Sequence, residues 1–195
     1  MSKFFSTDLH VGEIPAPGNP SYYRGFSPEE LQRHFLAQCH AQIGINDELY
    51  LLGDLITDAK YLQFYDQLPD CRLFIICGNK EQHIENFADE AFKRLPNHRN
   101  RLEVFTGFQF VEIGGRTWRI AHRPKDVIGF SVPMPALCAH AHGFWRTRQL
   151  SNGEPLINVG IDAWCGNIVS EKFIQLQYEG VTSGKFNHIL NLENL

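Results

Sequence analysis

Residues 73–83 read LFIICGNKEQH. The apolar run LFIIC ends at Gly78, and Asn79, Lys80 and Glu81 follow at once. Asparagine is a poor strand residue and adds nothing to the packing of a buried run, so Asn79 at the end of one asks for another explanation. Four further apolar runs stop in a comparable way. KFFSTD ends at Asp8 with His10 two residues on, LYLLGD ends at Asp54, WRIAH ends at His122, and LCAH ends at His140 with His142 two residues on.

The elements around these stops alternate. Residues 3–7 form a strand candidate, and Ser27-Pro28-Glu29-Glu30 opens a helix to about residue 43, with Ser27 as N-cap, Pro28 in the first turn and Glu30 closing a capping box. ELYLLGD is a buried strand followed by a helix over 59–68, and CRLFIICGN a strand followed by a helix over 81–95. Three alternations of strand and helix are the pattern of a parallel α/β sheet. The second half is β-rich: RLEVF, FQFVEI, RTWRIAH, ALCAHAH, the region around GFWRTRQL, and PLINVGI, with Gly114-Gly115 marking a hairpin. From residue 170 the pattern fits either a short helix or strands.

In open α/β sheets, ligands gather beyond the carboxyl ends of the strands. If the five strands share a direction, Asp8, His10, Asp54, Asn79, His122, His140 and His142 converge on one pocket. Imidazole, carboxylate and amide oxygen without thiolate suit a divalent transition metal. Seven positions exceed the needs of one ion. With one carboxylate bridging they suit two ions ~3.5–4 Å apart, an arrangement that activates water for in-line displacement at phosphorus. Each fragment alone is commonplace; the ordered set is the signal. His34, His40, His98 and His188 follow no such rule and read as surface or packing residues.

The bulk composition bounds the rest. The 195 residues suit one domain, spanning 1–195, and 43% apolar with 21% charged residues is the balance of a soluble globular protein. A net charge of -4 without a long basic run argues against a dedicated nucleic-acid surface. Five cysteines without a CxxC pair point to a reducing, cytoplasmic setting. MSKFF lacks a signal-type core, and no run nears the ~18 apolar residues of a membrane span, so no export or membrane anchoring is expected.

The ordered set resembles the calcineurin-like metallophosphoesterase superfamily, whose pattern is D-x-H, G-D, G-N-H-[DE], a histidine after a strand, and G-H-x-H. The counterparts here are DLH, GD, GNKE, IAH and AHAH, and INVGIDAW is similar to a stretch of the small bacterial and phage branch. The resemblance implies a four-layer αββα sandwich of two mixed sheets flanked by helices. It implies that Asp8, His10 and His142 hold one divalent ion and Asn79, His122 and His140 a second, with Asp54 bridging. Manganese is favoured among manganese, iron, zinc and nickel. The implied activity is hydrolysis of a phosphomonoester or phosphodiester, with a small nucleotide-type phosphorylated substrate favoured.

Two positions depart from the pattern. Lys80 stands where the family has a histidine beside the substrate, and Ala139 replaces a glycine. Lys80 has three physical options: a cation on phosphate oxygens, a general acid with a lowered pKa, or a solvated side chain. His83, expected in the first turn of the following helix, is a candidate replacement for the missing imidazole. Reduced or specialised hydrolysis is therefore expected, the alternative being a scaffold or ligand-binding protein that kept the fold. Arg123 and Arg146 are candidate phosphate contacts, and Tyr22, Tyr23 and Arg24 candidate covers of the pocket.

Overall fold

A computed structural model describes residues 1–14, 16, 25–95 and 101–185. Among these residues ten strands form two five-stranded sheets. The first contains β1 (Lys3–Ser6), β2 (Glu48–Leu51), β3 (Arg72–Ile76), β4 (Leu102–Phe105) and β10 (Val169–Ser170), in the order β10-β1-β2-β3-β4. β1 to β4 run parallel and β10 is antiparallel to β1. The second contains β5 (Gln109–Ile113), β6 (Arg116–Ile120), β7 (Ala136–Cys138), β8 (Thr147–Gln149) and β9 (Pro155–Asn158), in the order β5-β6-β7-β9-β8. Here β6, β7 and β9 are parallel and the two edge strands antiparallel. Both sheets are mixed, and they pack as a sandwich flanked by helices.

Local chemistry accounts for these elements. α1 (Pro28–Gln42) starts on a complete capping box, in which Ser27 Oγ accepts from the Glu30 N–H at 3.2 Å and Glu30 accepts from the Ser27 N–H at 2.9 Å. Its Leu31, Phe35 and Cys39 are buried against the outer face of the first sheet, beside Leu49, Leu51, Leu73 and Ile75. The opposite face contributes Phe5, Tyr50, Leu52, Phe74 and Ile76 to a second core, which meets Trp118, Ile120, Leu137 and Ile157 of the second sheet. β5 and β6 join through Gly114 and Gly115, at φ 60° and 73°, so two consecutive left-handed residues make the hairpin turn.

Two expected helices come out differently. Residues 59–68 form a 3-10 helix, Ala59–Gln67, capped by Asp58. The helix expected over 81–95 is split into a 3-10 turn, Glu81–His83, and α2 (Phe87–Arg94), with Asn86 between them at φ 51°. Its first turn is pulled inward because Glu81 is wholly buried and bonds to the ends of β2 and β3. The segment after residue 170 is helical: α3 (Glu171–Thr182), with Ser170 Oγ accepting from Phe173 N–H at 3.3 Å.

All five cysteines are free, and Cys39, Cys71, Cys77 and Cys138 are buried. Among the described residues no helix is long and apolar enough to cross a membrane. Tyr22, Tyr23, Arg24, His98 and His188 lie outside the described residues. His34 stacks on Phe26, and His40 Nε2 lies 2.8 Å from the Gln67 carbonyl, so both are engaged in packing or surface bonds.

Candidate metal centre

Parallel pairing puts the carboxyl ends of β1, β2 and β3 on one edge, where Asp8, His10, Asp54 and Asn79 follow them. The parallel strands β6 and β7 deliver His122, His140 and His142 to the same place. Two bonds fasten the sheets together there. His122 Nδ1 lies 2.7 Å from the Leu52 carbonyl, and the His140 N–H donates to Asp8 Oδ2 at 3.0 Å.

The side chains fall into two groups whose ligand atoms lie within 4.8 Å of one another: Asp8, His10 and His142, and Asp54, His122 and His140. His122 Nε2 stands 3.1 Å from Asn79 Oδ1, 3.2 Å from His140 Nδ1 and 3.4 Å from Asp54 Oδ2, so Asn79 belongs with the second group. Asp54 Oδ1 accepts the Lys80 N–H at 2.8 Å. Its Oδ2 lies 3.9 Å from His10 Nε2 as well as 3.4 Å from His122 Nε2, between the two groups. His10 Nε2 is buried and has no hydrogen-bond partner among the described residues; it faces Asp8 Oδ1 and Asp54 Oδ2, each at 3.9 Å.

This donor set fits a pair of divalent ions. A buried imidazole nitrogen without a bond, aimed at two carboxylates, is costly unless something binds between them. Donation of His122 Nδ1–H to Leu52 turns Nε2 toward an amide oxygen, a second imidazole and a carboxylate, so Nε2 is the nitrogen that would bind a metal once it gives up its proton.

The backbone is bent to make this convergence. Asp8, His10, Asp54, His140 and His142 all adopt left-handed φ angles, of 60°, 55°, 51°, 67° and 46°. Such residues cost about 1–3 kcal/mol each and persist where surrounding bonds over-determine them. Gly53 and Gly78 allow the ends of β2 and β3 to touch: a Cβ on Gly53 would fall on the Gly78 backbone, and one on Gly78 on Asp54. Ala139 is wholly buried in the core between the sheets and keeps its N–H on the His122 carbonyl at 2.9 Å.

Charge follows the same geometry. Burial raises the Asp54 pKa, but the bond and charge of His122, the Lys80 N–H and the charge of His10 outweigh it and hold the carboxyl at about 2. Burial lowers His122, and its bond to Asp54 with the charges of Asp8 and Asp54 reverses this, pushing it up to about 9. His140 is lowered, by burial first and then by His122.

Four supporting residues were not singled out from the sequence. Glu81 accepts the N–H groups of Asp54 and Gly78 on Oε2, at 2.7 and 3.0 Å, and those of Leu55 and Ile56 on Oε1, at 2.7 and 3.3 Å. Asp162 Oδ2 lies 2.6 Å from His142 Nδ1 and orients that ring. Asn158 ties the same loop, donating to the His142 and Trp145 carbonyls at 2.7 and 2.8 Å. Glu13 reaches His10 Nδ1 with Oε2 at 3.1 Å and Lys80 Nζ with Oε1 at 3.3 Å. The signals were present as the last letter of GNKE, the aspartate of INVGIDAW, and an acid three residues after His10.

The other candidates are placed as follows. Lys80 is partly buried, its ammonium on Glu13. His83 is exposed on the 3-10 turn. Arg123 lines a cavity beside His140. Arg146 is occupied elsewhere: its Nε donates to the Ala163 carbonyl at 2.7 Å and its guanidinium lies 5.3 Å from the Trp164 ring centroid.

No family model matches the chain, and no curated protein matches it in sequence. Solved structures do share the fold. A protein of unknown function from Aquifex aeolicus, AQ665, is 15% identical over 90% of this chain and 98% of its own, with a TM-score of 0.63. A novel archaeal phosphodiesterase is 13% identical over 82% of this chain and 84% of its own, with a TM-score of 0.53. The chain shares its overall architecture with these two structures.

Proposed function

We propose that the chain is a calcineurin-like phosphoesterase that hydrolyses a small phosphorylated compound with the help of two divalent ions, manganese favoured. The observation that carries this reading is Asp54 Oδ2, which faces both groups of candidate ligands while Oδ1 is held by a backbone N–H. Asp8, His10 and His142 would hold one ion and Asn79, His122 and His140 the other, with Asp54 available to either. When bound, such a pair activates water and neutralises charge on the phosphoryl group. Glu81 fixes the turn that carries Asp54, Asp162 orients His142, and Glu13 places a carboxylate beside the His10 ring. Lys80 supplies a cation for phosphoryl oxygens at the position where the family has histidine, with Arg123 as a further phosphate contact. The free thiols suit a cytoplasmic setting.

A second reading, a ligand-binding or scaffold protein, is favoured by one contact: the Lys80 ammonium is already paired with Glu13. Metal content and turnover separate the two. The chain reconstituted with manganese is assayed on bis(p-nitrophenyl) phosphate and p-nitrophenyl phosphate beside Asp54→Ala. The phosphoesterase reading expects two ions per chain and turnover lost in the variant. Two ions without turnover on either ester, or turnover unchanged in Asp54→Ala, would overturn it.

A further inference from the structure

Beside the candidate metal centre a cavity of about 680 Å³ opens, bounded by Arg123, Lys125, His140, Phe144, Trp145 and Arg148. Its shared wall is His140, whose Nδ1 stands 3.2 Å from His122 Nε2, so the cavity continues directly from the second group of ligands. Two properties of the lining restrict what fits. Three cationic side chains and no acidic one bound it, which suits an anionic ligand or one rich in hydrogen-bond acceptors. Aromatic surface is also present. Trp145 is buried with the Arg148 guanidinium 5.0 Å from its ring centroid, whereas Phe144 is 77% exposed.

A phosphate ion alone has no use for this space, since pockets of some 300–1,000 Å³ take whole small molecules. Arg148 provides a further pointer: its Nε is buried and has no hydrogen-bond partner among the described residues. A guanidinium with an unused donor and an exposed aromatic ring lining one cavity match a planar heterocycle, which stacks through its face and accepts hydrogen bonds at its edge.

We propose that this cavity seats the base of a nucleotide-type phosphoester, its ring against Phe144 and its polar edge toward Arg148, with Lys125 contributing positive charge at the rim. The assignment rests on the phosphoesterase reading for the direction of the phosphate, toward His140, and adds the residues that select the organic part of the substrate.

Binding tests it separately from turnover. Adenosine 5′-monophosphate and ribose 5-phosphate carry the same phosphate and differ by the base. Each is titrated by calorimetry into the full chain, with chelator and with manganese, for wild type, Phe144→Ala and Lys125→Ala. Both side chains are exposed, and a thermal melt checks that each variant folds. The expected result is binding of the nucleotide about ten-fold or more tighter than the sugar phosphate, with most of that advantage lost in Phe144→Ala, since base stacking on one aromatic is worth about 5- to 150-fold. Lys125→Ala should weaken both probes together. Equal binding of the two probes to wild type, or an undiminished base preference in Phe144→Ala, overturns the assignment. Bis(p-nitrophenyl) phosphate turnover with manganese reports on the other reading. Turnover without base preference sinks the cavity assignment alone, and base preference without turnover sinks the phosphoesterase reading alone.

Discussion

Replacing Glu81 by glutamine changes one atom and should damage both stability and metal binding. The Glu81 carboxylate is wholly buried and accepts four backbone N–H groups, two on each oxygen. A glutamine offers one acceptor oxygen and turns its NH2 on the other pair. Whichever way the amide is placed, two buried N–H donors lose their acceptor and meet a donor instead: Leu55 and Ile56 in one orientation, Asp54 and Gly78 in the other. At about 1–3 kcal/mol for each unsatisfied buried group, the cost is about 2–6 kcal/mol. Burial, followed by the Asp54 charge, raises the Glu81 pKa, so loss of the charge returns part of this. The expected net loss is at least about 2 kcal/mol, a large share of a domain's stability. Urea unfolding of the metal-free protein measures it. A metal titration of the folded variant should show affinity reduced about 10–100-fold, because the Asp54 turn is no longer held. A loss below about 0.5 kcal/mol with unchanged metal affinity would refute the view that Glu81 sets the site.

Asp162→Asn should weaken manganese binding about 10–100-fold by removing the carboxylate partner of His142, with stability nearly unchanged; affinity equal to wild type would count against an orienting role. Lys80→Ala should lower turnover on the best ester by about 10²-fold or more while two ions still bind, and unchanged turnover would leave Lys80 without a catalytic role. Metal binding should depend on pH: with His122 at about 9 in the metal-free chain, its proton competes below that pH, so affinity should rise roughly ten-fold per unit from pH 7 to 9 and then level. A flat profile over that window would contradict the proposed ligand. The stability of the metal-free chain should move the other way. His122 is raised above its ordinary 6.5, so its contribution is full below that value and fades as pH climbs to about 9. Urea unfolding at pH 6 and pH 9.5 checks the sign.

The strand ends were legible because five apolar runs stop in an ordered series at Asp, Asn or His, whereas a single such stop is ordinary turn chemistry. The stops at Asp8, Asp54, Asn79, His122 and His140 therefore carried both the parallel sheet and the cluster. The helix after Asn79 was misjudged for a physical reason: helical periodicity over 81–95 does not reveal that Glu81 points inward to bind four N–H groups, which forces a 3-10 turn and a restart beyond Asn86. Arg146 and Arg148 are two apart in the sequence and equally basic. Only the placement of Ala163 and Trp164 shows that the first is occupied and the second bounds the cavity. Left-handed backbone at five of the candidate ligands was equally hidden, since aspartate and histidine carry no glycine-like mark of that conformation.

Each proposed ion draws on both halves of the sandwich. Asp8 and His10 leave the first sheet and His142 the second, while Asp54 and Asn79 face His122 and His140 across the same seam. Loading would therefore act as a clasp in a chain whose cysteines are all free, joining segments far apart in the sequence as a disulfide joins them elsewhere. An ion present at a hundred times its dissociation constant adds about 2.7 kcal/mol to the folded state. The two sheets would then come apart together only after the ions are gone, and a chelator would lower the melting temperature by an amount set by free metal concentration.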